Sequence, residues 1–341
     1  MRTRQEEASF ETLIAFIGDH ARTMRFQSRH YPKVGSLTSF NRLDLSSADL
    51  ETIPEEIGLL THLQELDLTG NKLEFLPESM ASLVSLKSLK LGGNSLELLP
   101  DCFERMHHLE EMNLSCNKLE RLPKSLGSCQ RLRVLRLFDN KLETLPAEIG
   151  NLKDLEVLDA HDNKLESLPP EIGNLSSLRH LSLFDNKLAA LPDTIGSLHT
   201  LQELSLFDNA LTSLPESIGK LTGLLSLRVS GNKLTTLPKS LGNLSELMAL
   251  KLHRNALTEL PDTLGSLNNL TELRLEKNSL TTLPDTLAQL DHLSLLNLKG
   301  NPFKSLPEIL TGLTGLTTLR VDSSPLNASS DAVRVVASQC R

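Results

Sequence analysis

Aromatic and acidic residues recur together in the middle of the sequence at a constant spacing of 23 residues. The pairs are Phe138–Asp139, His161–Asp162, Phe184–Asp185 and Phe207–Asp208. Exposed rings beside carboxylates suit a partner that carries apolar groups flanked by Lys or Arg. Aromatic side chains are also enriched among residues that dominate binding energies. With Arg136 and Asp159, which belong to the same segments, these eight residues form the predicted partner-binding surface.

A second interpretation of the same row is recent duplication of neighbouring segments. The stretches LSLFDNKLAALP at 181–192 and LSLFDNALTSLP at 204–215 are nearly copies of each other. The rings would then stack on one another. An aspartate before an asparagine would bond to backbone N–H groups of a local turn. The sequence alone leaves both interpretations open.

A histidine between two acids could also do acid–base or metal chemistry. His161 lies between Asp159 and Asp162, but the other histidines are scattered over unrelated positions. The sequence contains no GxxxxGK[ST], HExxH or GxSxG motif. We therefore expect no catalytic residues, no bound metal and no cofactor, and we expect that the chain is not an enzyme.

These rows belong to a repeat that runs through most of the chain. An asparagine recurs every 23 residues from Asn71 to Asn301, and a proline follows the same period from Pro54 to Pro307. Two leucines separated by one residue predict a short strand with the leucines inward and the middle residue outward. The asparagine amide would bond to buried backbone groups at the turn. Proline suits the start of a short helical or 3₁₀ turn.

The repeat resembles a known family. Read from Leu63, LQELDLTGNKLEFLPESMASLVS follows the pattern LxxLxLxxNxL and then xxLPxxIGxLxx. This pattern resembles the leucine-rich-repeat family, and within it the 23-residue subclass of Ras-pathway scaffolds, plant intracellular Ras-group proteins and bacterial proteins. The resemblance covers residues 40–324. It implies an α/β repeat solenoid, a curved horseshoe of about thirteen strands, with a parallel concave sheet and short helical or 3₁₀ turns on the convex side.

The two ends of the chain differ from the repeat. Phe10, Leu13, Ile14 and Ile17 follow the spacing of an amphipathic helix, which predicts an N-terminal helical cap within residues 1–39. An export segment is the alternative for the same residues. At the other end, residues 325–341 include the helical pattern 331–338, which we interpret as a C-terminal cap over the last coil.

A second predicted surface is basic. After the aspartate row, outward positions change sign, and a bipolar surface would orient a bipolar partner. The members of this secondary basic patch are Arg228, Lys251, His253, Arg254, Arg274 and Lys277. Lysine and arginine are also common on any solvated sheet, which is the competing interpretation.

Composition limits the kinds of partner and compartment. A net charge of −8 argues against nucleic acid. The four cysteines form no CxxC pair, and the sequence has no signal-peptide pattern and no membrane-length apolar run. We expect a cytoplasmic, monomeric protein-interaction scaffold. The alternative is the recognition part of a signalling or bacterial effector assembly, delivered into a host cell without a Sec signal, whose catalytic domain is elsewhere.

Overall fold

The computed structural model describes residues 4–20 and 41–322. It divides into two compact units, Met1–Lys164 and Leu165–Arg341. Each unit repeats the same three-part coil of a short strand, an asparagine turn and a 3₁₀ turn. The two units are described in turn below.

The first unit begins with helix α1 (Arg4–His20). Six parallel strands follow, each paired with the next along the chain. The strands are β1 (Arg42–Asp44), β2 (Glu65–Asp67), β3 (Ser88–Lys90), β4 (Glu111–Asn113), β5 (Val134–Arg136) and β6 (Val157–Asp159). The 3₁₀ turns between them are Glu55–Leu59, Glu78–Ser82, Phe103–Arg105, Lys124–Ser128 and Ala147–Asn151.

The second unit repeats this arrangement with seven parallel strands, again paired in chain order. They are β7 (His180–Ser182), β8 (Glu203–Ser205), β9 (Ser226–Arg228), β10 (Ala249–Lys251), β11 (Glu272–Arg274), β12 (Leu295–Asn297) and β13 (Thr318–Arg320). Its 3₁₀ turns are Pro170–Asn174, Asp193–Ser197, Glu216–Lys220, Lys239–Asn243, Asp262–Ser266, Asp285–Gln289 and Glu308–Gly312.

The register of the strands follows the sequence period. Leu43 pairs with Leu66, and Leu66 pairs with Leu89, so equivalent residues of successive coils lie side by side. The two inward strand residues of each coil from β1 to β12 are buried, as Leu66 and Leu68 show, while Asp67 between them remains partly exposed. The predicted α/β repeat solenoid is therefore confirmed. We call the outward side of the strands, including the residue directly before each strand and the two residues after it, the strand face.

Buried asparagines tie each coil to the previous one. The Asn140 side-chain oxygen accepts a hydrogen bond from Leu119 N–H at 2.9 Å. Its amide group donates to the carbonyls of Leu114 and Leu137 at 2.9 and 3.0 Å. Asn232 makes the same set of bonds in the second unit. The amide satisfies backbone groups that would otherwise be buried without partners, which is the role predicted for it.

The turns opposite the strands are 3₁₀ turns, one of the two predicted alternatives. Pro54 precedes the first of them with φ −69° and ψ 151°. A proline at this position is already near the φ of a helix start, and it lacks the N–H that would have no partner there. Position 58 and the equivalent positions of the other coils are mostly glycine. A Cβ on Gly58 would lie 2.6 Å from the carbonyl oxygen of Ser79, so neighbouring turns pack closely only without a side chain.

The N-terminal helix packs on the first 3₁₀ turn, Glu55–Leu59. Leu13 and Ile17 are buried, and Ile14 is half-buried, so the helix turns its apolar stripe inward. Whether residues 1–39 act as a cap or as an export segment stays a prediction. Residues 21–40 and 323–341 lie outside the described residues, as does the predicted C-terminal cap at 325–341.

Candidate functional site

In the first unit, Phe138 and His161 form a stacked ring pair on the strand face. Their ring centres are 4.7 Å apart, and the ring planes differ by 6°. Both residues are half-buried and occupy equivalent positions two residues after the ends of β5 and β6. Stacking of this kind contributes about 0.5–1.5 kcal/mol beyond area burial, so the pair is held in one orientation.

Two of the predicted polar members of this surface, Asp159 and Arg136, are themselves partnered. The Asp159 carboxylate accepts a hydrogen bond from Nδ1 of His161 at 2.5 Å, which holds the imidazole over Phe138. Arg136 donates to Glu111 at 2.7 Å. The His161–Asp159 pair therefore positions a ring, and Asp162, the third member of the proposed acid–base group, is exposed.

In the second unit, Phe184 and Phe207 form a ring pair of the same kind. Their centres are 4.2 Å apart with an interplanar angle of 11°. Each ring follows its strand, β7 or β8, at the position that Phe138 and His161 occupy in the first unit.

The prediction that these rings are exposed is wrong. Phe138, Phe184 and Phe207 are half-buried. Each pair covers one ring face by stacking, as the duplication interpretation expected. Edges and outer faces still contribute to the strand face, because the rings are only partly covered.

The aspartates before the asparagines adopt a left-handed backbone conformation. The residue before each asparagine has a φ of 51° to 71° in the first unit and of 50° to 73° in the second. The residues at this position are Gly70, Gly93, Cys116, Asp139, Asp162, Asp185, Asp208, Gly231, Arg254, Lys277 and Gly300. Glycine adopts this conformation readily, and aspartate is tolerated there more than most residues. The aspartate row therefore has a backbone reason besides any role in binding.

Asp208 is neutralised within the second unit. Its carboxylate lies 3.6 Å from the Arg254 guanidinium, two coils away in sequence. Gly231 is the equivalent residue of the coil between them. The Asp208 carboxylate occupies the space that a Cβ at position 231 would take. In the first unit, Asp139 and Asp162 are exposed, and the Asp139 carboxylate helps burial to raise the pKa of the Cys116 thiol.

Most of the predicted basic patch is also paired. Lys251 lies 3.5 Å from Glu272, and Arg274 donates a short hydrogen bond to the same carboxylate. Burial raises the pKa of Glu272, but the Arg274 hydrogen bond and the Lys251 charge outweigh it and lower that pKa overall. Arg228 and Lys277 are exposed and form no ion pair with any described residue.

His253 and Glu276 form a partly buried pair at equivalent positions of successive coils. His253 Nδ1 and Glu276 Oε1 are 3.8 Å apart. Burial lowers the pKa of His253 despite the Glu276 carboxylate, and the charges of Arg274, Arg254 and Lys251 act in the same direction as burial. Neutral imidazole is therefore favoured at this position.

Residues 4–20 and 41–322 contain no group of three or more His, Cys, Asp or Glu side chains arranged to hold a metal ion. Within the same residues, no helix has the length and apolar character to cross a membrane. Cys102, Cys116 and Cys129 are free thiols.

Sequence reasoning missed four exposed apolar side chains. Phe75 and Leu98 occupy one repeat position on successive coils of the first unit and are 57 % and 47 % exposed. Leu225 and Met248 occupy another position on successive coils of the second unit and are 36 % and 48 % exposed. A position-by-position comparison of the repeats could have found them, because polar residues occupy the same positions in most other coils.

The fold and the strand face define a leucine-rich-repeat solenoid. A family model described as a leucine-rich repeat region matches residues 20–137, 116–210 and 204–279, and a second, described as a leucine-rich repeat, matches residues 269–290. The chain belongs to the leucine-rich-repeat family.

Solved structures agree with this assignment. A leucine-rich-repeat protein of Leptospira interrogans is 37 % identical, with a TM-score of 0.76 over 85 % of this chain and 74 % of that one. The plant peptide hormone receptor RGFR1 in complex with RGF2 is 35 % identical, with a TM-score of 0.75 over 84 % and 48 % of the respective chains. The Toll–Spatzle complex of Drosophila is 26 % identical, with a TM-score of 0.70 over 84 % and 45 %. The chain thus spans about half the length of the matched chains in these last two structures. Comparison with curated proteins gives no match.

Proposed function

We propose that this chain is a protein-interaction scaffold that binds a partner protein through the strand faces of its units. The observation that carries the proposal is the presence of one stacked ring pair in each unit, Phe138–His161 and Phe184–Phe207. Rings held in one orientation lose little conformational entropy on binding, and aromatic residues are typical anchors of binding surfaces. No catalytic step is part of the proposal.

Similar proteins support a protein partner. Their structures include a receptor in complex with a peptide hormone and the Toll–Spatzle complex. Exposed Asp139 and Asp162 flank the ring pair of the first unit, so a partner with apolar and basic groups suits that surface. The net charge of −8 disfavours nucleic acid as the ligand.

Affinity capture with ring variants tests the proposal. Phe184→Ala combined with Phe207→Ala, and Phe138→Ala combined with His161→Ala, should each reduce capture of the main partner from a lysate at least tenfold. The expected loss corresponds to about 1.4 kcal/mol or more, which is the size expected when an important interface side chain is removed. Captured proteins are quantified by mass spectrometry from equal amounts of folded bait.

Two controls separate binding from folding. Phe75→Ala removes an exposed phenylalanine outside the strand face and should leave capture unchanged. Replacement of Asp139, Asp162, Asp185 and Asp208 by Asn removes four charges with a residue that tolerates the same left-handed backbone, so a loss of capture in this variant would come from charge and not from misfolding. If both ring variants capture the partner as well as the parent does, the strand-face rings are not the binding site.

The alternative function is recognition on behalf of a larger assembly. The observation that favours it is that this chain matches only about half of the RGFR1 receptor chain. In that case the same strand face would select the partner, and a catalytic or signalling domain would act on it from another part of the assembly. Purification under native conditions separates the two functions, because an assembly would bring a second protein in fixed stoichiometry. The compartment and the monomeric state stay predictions.

A further inference from the structure

Two large apolar side chains lie next to each other at the start of the strand face in the second unit. Leu225 and Met248 are 36 % and 48 % exposed. They directly precede β9 and β10, and the Met248 N–H donates to the Leu225 carbonyl at 2.9 Å. One period before and one period after, the same position holds Gln202 and Thr271. Two adjacent exposed apolar residues where other coils are polar are typical of a contact surface.

Small residues connect this apolar pair to the arginine of β9. Ser226 and Ala249 follow Leu225 and Met248 and are register partners of each other. Arg228 is exposed on the same strand face, two residues after Ser226, and its register partner is Lys251. Because the intervening side chains are short, a bound segment could contact the apolar pair and Arg228 together.

The charged groups around this surface leave one arginine without an ion pair. Asp208 lies within 4 Å of Arg254, and Glu272 lies within 4 Å of Lys251 and Arg274. Arg228, by contrast, forms no ion pair with any described residue. An acidic group from another molecule would therefore meet a cation that is not already neutralised.

We infer that Leu225, Met248 and Arg228 form a docking surface for an acidic, apolar peptide segment of a partner protein. An apolar side chain of the segment covers Leu225 and Met248, and a carboxylate of the segment pairs with Arg228. The inference rests on the proposed protein-binding function. It adds a second contact of opposite charge preference to the one expected beside Asp139 and Asp162.

Selection from a random peptide library tests this inference. Twelve-residue displayed peptides are selected on the full chain and then screened against a triple variant, Leu225→Ser, Met248→Ser and Arg228→Glu. Peptides that bind the parent at least tenfold better than the triple variant should carry net negative charge together with Leu, Ile, Met or Phe. Their binding should also weaken as salt increases, because the Arg228 contact is exposed to solvent.

Matched variants keep the result interpretable. Lys233→Glu reverses an exposed charge of the same unit outside this surface and should not reduce binding of the selected peptides. Circular dichroism melting of the triple variant should match the parent, because all three side chains are exposed and replaced by polar residues.

Two other outcomes would overturn the inference. One is that peptides sensitive to the triple variant are neutral or basic. The other is that no selected peptide is sensitive to the triple variant. Vesicles of phosphatidylserine and phosphatidylcholine are tested in the same way, and if only they bind through this surface, the inference is also overturned. If the selected peptides instead lose binding only to the ring variants, the docking surface is refuted while the proposed function stands. Insensitivity to both sets of variants would refute both.

Discussion

At the scale of single residues, backbone conformation and side-chain chemistry compete to explain the same aspartates. Asp139, Asp162, Asp185 and Asp208 all have φ between 50° and 56°. Glycine at 70, 93, 231 and 300 adopts the same conformation. The choice of Gly or Asp in most coils therefore follows from a left-handed turn that lets the N–H bond to the next coil, as Asp139 does to His161 at 3.2 Å. Arg254 and Lys277 adopt the same left-handed conformation, although arginine and lysine do not favour it as glycine and aspartate do.

Substitutions at Asp162 separate the two explanations. Asp162→Val should lower the free energy of unfolding by about 1–2 kcal/mol, because a β-branched residue is disfavoured in the left-handed region. Asp162→Gly and Asp162→Asn should change it by less than about 0.5 kcal/mol. Urea denaturation measures all three. Asp154→Val is the control, because Asp154 is exposed and is not among the residues with positive φ. Equal stability of the Val and Gly variants at 162 would contradict the backbone explanation.

At the scale of elements, the sequence predicts the features that every coil repeats and misses the side-chain contacts that particular coils make with each other. The strand leucines, the bonding asparagine and the proline at the 3₁₀ turn each follow from a single 23-residue repeat, and all were predicted. Ring burial was expected only by the duplication interpretation, and the sequence could not choose between the two because burial depends on the stacking of Phe184 on Phe207 from the next coil. Gly at four of the positions equivalent to Asp162 was the available signal for the left-handed turn.

The partners of charged residues were equally hidden. Asp208 reaches Arg254 across Gly231, so the pair depends on three coils and on the absence of one side chain. The exposure of Leu225 was missed for the opposite reason. In a leucine-rich sequence an additional leucine resembles core, and only its position before the strand places it outside.

The spacing of the 3₁₀ turns gives a prediction for the element scale. A Cβ at Gly242 would lie 2.7 Å from Thr263 Cβ and 2.8 Å from the Thr263 carbonyl carbon, closer than real contacts allow. Gly242→Ala should therefore lower the free energy of unfolding by about 1–3 kcal/mol, because the two turns must move apart. Gly223→Ala is the matched control. Its Cβ would have its nearest neighbour, the His199 carbonyl oxygen, at 3.6 Å. Urea denaturation should show little loss for the control, and a similar loss for both variants would refute the close-packing argument.

At the scale of the whole molecule, stability comes from the stacking of coils, and few titratable groups enter the core. Leucines fill the interior in every described coil. The titratable groups that do enter the core are two thiols of the first unit, Cys102 and Cys129, which are 6 % and 0 % exposed. Burial raises the pKa of each to about 12, helped at Cys102 by the charges of Glu78 and Asp101, and at Cys129 by Cys102. The thiolate form is therefore strongly disfavoured inside the fold.

These thiols predict a loss of stability in alkali. The folded chain keeps both protons up to about pH 12, whereas the unfolded chain releases them above its ordinary thiol pKa of 9.0. Below pH 9 the two thiols cost the folded state no stability. As the pH rises from 9 towards 12, the free energy of unfolding decreases by about 1.4 kcal/mol per pH unit and thiol. At pH 10.5 the two thiols together should cost about 4 kcal/mol relative to pH 8.

Urea denaturation of the parent and of Cys102→Ala/Cys129→Ala at pH 8 and pH 10.5 measures this loss. The alanine variant starts from a lower stability because of the cavities it leaves, so the change between the two pH values is compared rather than the level. That change should be about 4 kcal/mol smaller in the variant, since lysine and tyrosine titrate equally in both proteins. Cys116→Ala, at an exposed position, should keep most of the parent's pH dependence. Identical pH dependence in parent and double variant would show that the buried thiols do not control alkaline unfolding.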